Sequence, residues 1–166
     1  DSSKSKQVLK VNESSVLKLT NLDPMYQKSD LSLGSVFIQF TNKVIRDQGK
    51  KTKVRSPKVE LVAKSVSMGV RGTQFFASFG PKGHKKDFWM CVNEGKVNVE
   101  NIKSKKQVLV KEGEGIQVVD GSDFTEPKPY EWTKKLNWKM DAQEGDLENK
   151  AEIEGTYDDL LNQDYD

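Results

Sequence analysis

The chain has 166 residues, of which 34% are apolar and 31% charged, and this fits one domain with a modest core beneath a heavily solvated surface. Its one cysteine, Cys91, excludes an intrachain disulfide and a thiolate metal cluster. No run approaches the roughly 18 to 20 apolar residues that a transmembrane helix requires, so this chain is not expected to span a membrane.

Charge is distributed unevenly along the sequence. Residues 141–166 contain ten acidic residues and one lysine, a net charge of −9, so the overall net charge of +2 leaves +11 on residues 1–140. We predict a basic body with a disordered acidic tail, and a flexible N-terminus over residues 1–7. The tail fits three roles: a solvating segment, a partner-binding arm or a counter-charge for the body. The basic body favours an anionic partner, such as membrane headgroups or a cell-wall polymer.

Short apolar runs of alternating polarity, rich in Val, Ile and Phe, dominate the chain from Val8 to Val119 and are typical of β-strands. The predicted strands cover residues 8–11, 15–20, 35–40, 58–63, 70–79, 87–92, 96–101, 107–112 and 115–120. Turn-forming sequences such as NLDP, DQGKK and GPKGH separate them. This spacing predicts an all-β, largely antiparallel sandwich or jelly-roll-like domain.

Three glycines, Gly34, Gly95 and Gly115, each stand just before a β-branched run. Glycine accepts a positive φ or a bulge at little steric cost. We therefore interpret these positions as the starts of hairpin strands.

The sequence changes character after Val119. Trp132, Leu136 and Met140 recur at four-residue spacing behind two prolines, which favours a short C-terminal helix or an extended arm laid across a sheet. We expect the tryptophans to dock on the β body. The alternative is an exposed binding face that includes Trp132 and Trp138.

The sequence offers little for catalysis. His84, the only histidine, lies in a polar turn with no orienting acid nearby in the sequence. Glu112 and Glu114 lie between glycines in a turn that should be wet, where nothing would raise a carboxyl pKa. Cys91 lies in the middle of a predicted strand, as expected for a buried structural thiol. We expect a protein that is not an enzyme and has no cofactor or metal.

The loop from Gly80 to Lys86 does not match a phosphate-binding P-loop, because a strand rather than a helix follows it. Its lysines, Lys82, Lys85 and Lys86, are expected at a solvated hairpin tip, and the alternative is a contact patch for an anionic partner. Nucleic acid is not an expected partner. The aromatic residues of the neighbouring strands lie in strongly apolar runs with few adjacent cations.

The segment SMGVRGTQFFASF, residues 67–79, is the most distinctive in the chain. Interpreted as one strand, it places Arg71 on the same face as Phe75 and Phe79, at the edge of the core. Backbone carbonyls or a carboxylate are then expected to hold the Arg71 guanidinium. Gly69 and Gly72 would allow a neighbouring strand to come close.

This segment also resembles the core motif of the FecR domain, the extracytoplasmic domain of ferric-dicitrate-type regulators of sigma factors. The matching residues are Pro57, Val70, Arg71, Gly72, Thr73 and Phe75, followed by Glu94, Gly95, Val97 and Val99 in an element similar to the family's Glu-Gly-x-Val-x-Val pair. Flanking matches fall at Leu33, Gly34, Val36, Gly113, Glu114 and Gly115. The resemblance covers about residues 8–121.

The resemblance implies an all-β domain of the bacterial envelope without catalytic residues. The best-known members of the family are membrane-spanning regulators that control an extracytoplasmic sigma factor. Because this chain begins at Asp1 and has no transmembrane segment, we expect a stand-alone or trimmed member. We predict a FecR-like β domain over 8–121, a Trp-containing segment over 122–140 and the acidic tail over 141–166.

The predicted function is a non-enzymatic periplasmic or secreted module that binds an envelope protein in sensing or signal transduction. Exposed sheet edges, the Trp-containing segment and the acidic tail are the expected contact elements. The alternative is a β-sandwich that binds carbohydrate or peptidoglycan.

Overall fold

The structure, a computed structural model, describes residues 5–23, 25–42, 58–80, 87–118 and 122–147. Within these residues the chain forms strands and one short 3-10 helix, which confirms the predicted all-β class. The strands are β1 (Ser5–Val11), β2 (Val16–Asp23), β3 (Tyr26–Asn42), β4 (Lys58–Ala63), β5 (Val66–Val70), β6 (Gln74–Phe79), β7 (Phe88–Glu94), β8 (Lys96–Asn101), β9 (Gln107–Lys111) and β10 (Gly115–Val118). The 3-10 helix is Glu131–Lys135.

The long strand β3 divides one continuous sheet into two halves. Residues 34–42 of β3 belong to the first half, in the order β1-β3-β6-β7-β10. Residues 26–33 of β3 belong to the second half, in the order β2-β3-β4-β5-β8-β9. Neighbouring strands are antiparallel, except that β3 and β4 pair in parallel.

The main core lies on the inner faces of both halves. Strands β4 and β8 alternate buried and exposed residues, so that Leu61, Val97 and Val99 point inward and their neighbours toward solvent. Phe75 and Ala77 of β6 join this core and are fully buried. Burial of an aliphatic or aromatic side chain stabilises a fold by about 1.5–3 kcal/mol, so this core is the main source of stability.

A second apolar cluster covers the outer face of the first half of the sheet. Phe37, Phe76 and Trp89 on that face pack against Tyr130 and Trp132 of the C-terminal segment. Every residue of β6 is therefore buried, Phe75 on one side and Phe76 on the other.

The C-terminal segment crosses the sheet edge before it reaches this cluster. Thr125 and Lys128 hydrogen-bond to Gln117 and Gly115 along β10, so the segment covers that edge. After the 3-10 helix the chain folds back, and Asn137 donates its backbone amide to the carbonyl of Asp146 at 2.7 Å. Of the two alternatives predicted for this segment, the described residues favour the arm laid across the sheet, because the helical part is only the 3-10 turn Glu131–Lys135.

Two regions differ from the sequence prediction. The single strand predicted over residues 70–79 is wrong, because β5 ends at Val70 and β6 begins at Gln74 in the other half of the sheet. Strand β5 itself and residues 26–34 of β3 were missed, since their polar residues conceal the alternation. In the described residues, no helix is long and apolar enough to cross a bilayer.

The glycines predicted as hairpin starts have a different role. Gly34 (φ 83°) and Gly95 (φ 84°) lie where the chain passes from one half of the sheet to the other, and so does Gly72 (φ 54°) between β5 and β6. Gly115 has no positive φ. A Cβ there would approach the Met90 carbonyl oxygen to 3.1 Å, so this glycine serves close packing instead.

Candidate functional site

The two parts of the FecR-like motif meet at one point of the structure. A Cβ built on Gly95 would lie 2.8 Å from the Gly72 carbonyl oxygen and 2.9 Å from Cγ2 of Thr73. The Thr73 carbonyl accepts a hydrogen bond from the Phe40 amide at 2.8 Å, and Thr73 is buried. The motif therefore forms a tight backbone junction between the two halves of the sheet.

The other motif residues divide into core and surface. Val70, Phe75 and Val97 are buried in the main core. Arg71 and Glu94 are exposed. Among the described residues the Arg71 guanidinium has no hydrogen bond or ion pair, so the predicted anchoring is not found there. The cause is the bend at Arg71 and Gly72, which ends β5 and turns the side chain into solvent.

A shallow cavity of about 180 Å³ adjoins this junction. Gln39, Thr41, Thr73 and Glu94 contribute to its lining. The cavity is open to solvent and contains no cluster of titratable groups. Across the described ranges, no group of His, Cys, Asp and Glu residues could hold a metal ion.

The candidate catalytic residues in the described ranges have structural surroundings. Cys91 is fully buried, and burial raises the pKa of its thiol well above the usual value, which suppresses the nucleophilic thiolate. The Glu114 carboxylate accepts a hydrogen bond from the Lys111 amide at 2.9 Å and closes the turn before β10. His84 and the predicted contact lysines Lys82, Lys85 and Lys86 lie outside the described residues, as does Pro57.

The two candidate contact tryptophans are docked on the sheet. Trp132 is 3% exposed, and its ring lies 6.3 Å from that of Trp89. Trp138 is half-buried and packs edge-on against Phe37 at 5.7 Å, while its indole nitrogen donates to the Thr133 carbonyl at 2.7 Å. The glycan-binding alternative required these rings to be free, and Trp132 is not.

Polar contacts fix the segment after Trp138 to the sheet. Lys10 of β1 donates to the carbonyl oxygens of Glu144 and Gly145 at 2.8 and 2.7 Å. Burial lowers the pKa of the Lys10 ammonium from its usual value, and the nearby carboxylates of Asp146, Asp141 and Glu144 oppose this shift. A cavity of about 430 Å³ lies between β1 and this segment.

The Asp146 side chain gives a second anchor for the same segment. Ser35 of β3 donates its hydroxyl to the Asp146 carboxylate, with oxygen distances of 2.9 and 2.8 Å. Leu147 is buried in the second apolar cluster. Residues 141–147, which the sequence assigned to the acidic tail, therefore pack on the body, and residues 148–166 lie outside the described residues.

Among the described residues, most of the exposed large apolar side chains lie on the hairpin of β2 and β3. We name the surface they form there the hairpin surface and define it by Val16, Leu19, Leu22, Met25 and Leu33, which are 43–68% exposed. Leu19 and Leu22 stand opposite Ser29 and Gln27 of β3, on the strand face that continues the core. Register shifts after Val16 and Leu19 keep the apolar residues of β2 on that one face.

Strand β2 also has an unpaired edge, because among the described strands it pairs with β3 alone. Contiguous exposed apolar surface is characteristic of protein-interaction sites. An unpaired edge offers backbone donors and acceptors to an added strand. The hairpin surface is therefore the candidate interaction site. The leucines of this surface can be identified in the sequence. Their exposure could not be predicted, because it depends on the first half of the sheet leaving them uncovered.

Comparison with known proteins supports the fold and goes no further. Neither a family model nor a curated protein matches the sequence. The structure is similar to two crystal structures of a protein from Parabacteroides distasonis that is provisionally described as an anti-sigma factor. Each aligns with a TM-score of 0.53 and 18% identity, over 76% of this chain and 56% of that one.

This chain thus spans little more than half the length of those proteins. At this identity the likeness shows the fold alone.

Proposed function

We propose that this chain is a non-enzymatic FecR-type module of the bacterial envelope, periplasmic or secreted, which binds a partner protein in signal transduction linked to sigma factor regulation. Two observations agree with this assignment. The two elements that resemble the FecR motif meet at the Gly72–Gly95 junction. The fold is similar to that of a provisionally described anti-sigma factor.

The hairpin surface is the observation that carries the proposed protein contact. Its five apolar residues are at least 43% exposed, and those of β2 lie beside the unpaired edge of that strand. A partner that covers these side chains would gain apolar burial, and a partner strand would add backbone hydrogen bonds. Leu22, at 68% exposure, has the most surface to bury.

The test is capture of partners from envelope extract with the full chain, followed by reconstitution with the purified partner and titration calorimetry. In parallel, the double variant Leu19→Glu/Leu22→Glu should abolish binding, because each carboxylate would be buried without a partner. A matched control, Ile102→Glu/Leu109→Glu, changes two exposed apolar residues of the β8–β9 hairpin and should leave affinity unchanged.

Equal affinity of both double variants would contradict the hairpin surface as the contact site. Retention of the chain only on insoluble cell-wall material, with no protein captured, would instead favour the glycan-binding alternative.

A further inference from the structure

A row of cations crosses the outer face of the second half of the sheet. Four valines are paired in register there: Val59 of β4, Val70 of β5, Val97 of β8 and Val110 of β9. One cation is the sequence neighbour of each valine, and the antiparallel pairing brings all four cations to the same edge of the sheet. They are Lys58, Arg71, Lys96 and Lys111. We name these four residues the basic row. Adjacent strands are about 4.8 Å apart, so the row extends about 15 Å.

All four side chains of the basic row are exposed. Lys96 and Lys111 stand directly opposite each other, a like-charge pair that destabilises a sheet unless an anion relieves it. In the described residues, no carboxylate lies within ion-pair distance of Arg71, Lys96 or Lys111. No described carboxylate therefore neutralises the repulsion between these positive charges.

Two carboxylates close to the row in sequence have hydrogen-bond partners of their own. Glu60 lies 4.0 Å from Lys58 but accepts hydrogen bonds from the Tyr26 hydroxyl at 2.6 Å and the Ser67 hydroxyl at 2.8 Å. Glu112, which follows Lys111 in sequence, accepts a long hydrogen bond of 3.5 Å from the Gly95 amide. The row thus presents positive charge to an anionic ligand.

We propose that the basic row binds an acidic peptide and that its occupant is residues 148–166 of the same chain. This segment has seven acidic residues and one lysine. Opposite charge favours the contact, and covalent linkage gives the segment a local concentration of about the millimolar range, so a weak contact is populated. The contact is intramolecular and requires no partner protein.

The position of the last described residue makes the contact reachable. Asp146 and Leu147 are held beside Ser35 of β3. From Ser35, β3 runs back to Tyr26, which pairs with Lys58 of the basic row, a path of roughly 30 Å. The 19 residues after Leu147 span up to about 60 Å when extended, so the segment can reach the row and lie along it.

The test places a spin label on the acidic segment of the full chain through Thr156→Cys and records the broadening of backbone amide signals by NMR. Cys91 is buried, so the label attaches at the new position. Amides next to the basic row should broaden strongly, and those of the turn over residues 102–106, at the opposite end of β8 and β9, should broaden much less. Sodium chloride at about 0.5 M should remove the broadening, because salt screens exposed charges.

The variant Arg71→Gln/Lys96→Gln/Lys111→Gln should weaken the contact between the basic row and residues 148–166 about tenfold, since three exposed ion pairs each contribute a factor of about two. The matched control, Lys103→Gln/Lys135→Gln/Lys139→Gln, removes three exposed lysines elsewhere and should leave the broadening in place.

Uniform broadening over the body, or equal broadening in both triple variants, would overturn the proposal. Broadening that arises only between a labelled and an unlabelled copy would assign the contact to a neighbouring molecule and overturn the intramolecular form. Partner binding at the hairpin surface is measured separately, so failure of one proposal leaves the other testable.

Discussion

Replacement of Gly95 by alanine tests the junction between the two parts of the motif. The new Cβ would lie 2.8 Å from the Gly72 carbonyl oxygen, closer than real Cβ atoms approach a backbone oxygen, and Gly95 has φ 84°. A left-handed conformation costs a non-glycine residue about 1–2 kcal/mol. Overpacking against a backbone that cannot move freely adds about 1–3 kcal/mol. We expect Gly95→Ala to lower the free energy of unfolding by about 3 kcal/mol.

Gly113→Ala is the matched control for backbone conformation. Gly113 has φ 79°, but a Cβ there meets nothing within 4 Å, so only the conformational cost of about 1 kcal/mol remains. Gly72→Ala, at φ 54° and also in open space, should behave in the same way. The difference between Gly95→Ala and these controls therefore measures the packing of the junction.

Urea unfolding followed by tryptophan fluorescence provides the assay, because Trp89 and Trp132 are buried. In thermal melts, Tm falls by about 2–4 °C for each kcal/mol of lost stability. We therefore expect Tm to fall by about 6–12 °C for Gly95→Ala and by about a third of that for each control. Equal destabilisation of all three variants would refute close packing at Gly95 as the reason for glycine.

Two further substitutions, a pH series and a thiol-labelling experiment test the packing of the C-terminal segment and the core. Lys10→Met removes charge-assisted hydrogen bonds to residues 144 and 145 and should cost about 1–2 kcal/mol, with faster amide exchange in that segment. Burial lowers the pKa of Lys10, so the stability of the wild type relative to Lys10→Met should increase as pH rises toward the usual lysine pKa. A stability difference that stays flat up to that pH would contradict this. Trp132→Ala should cost about 3–5 kcal/mol by calorimetry. Cys91 should react with a thiol reagent only at the rate of unfolding, and fast native labelling would disprove its burial.

Sequence patterns predicted the strands that alternate regularly and failed where strands leave the core. Strands β4, β8 and β9 agree closely with the predicted runs, because one face of each packs on the core. The window VRGTQFFASF was predicted as one strand, since a single glycine does not reveal a crossing between halves of a sheet. The parallel pairing of β3 with β4 depends on contacts far apart in sequence and was equally hidden.

The candidate sites were less predictable than the fold. The docking of Trp132 followed from apolar spacing, and the structure confirms it. The hairpin surface could not be predicted, because exposure of Leu19 and Leu22 depends on where the other half of the sheet ends. The basic row could not be predicted either, since Lys58, Arg71, Lys96 and Lys111 are brought together only by strand register.

The junction and the surfaces have separate roles in this molecule. The motif that resembles FecR places glycines of positive φ where the chain changes from one half of the sheet to the other, and its side chains are core or turn residues. The Gly72–Gly95 junction lies beside the ends of β5 and β8, two of the strands whose pairing aligns the basic row. A change at Gly95 that shifted this pairing would therefore disturb the basic row, although the row does not contain the glycine.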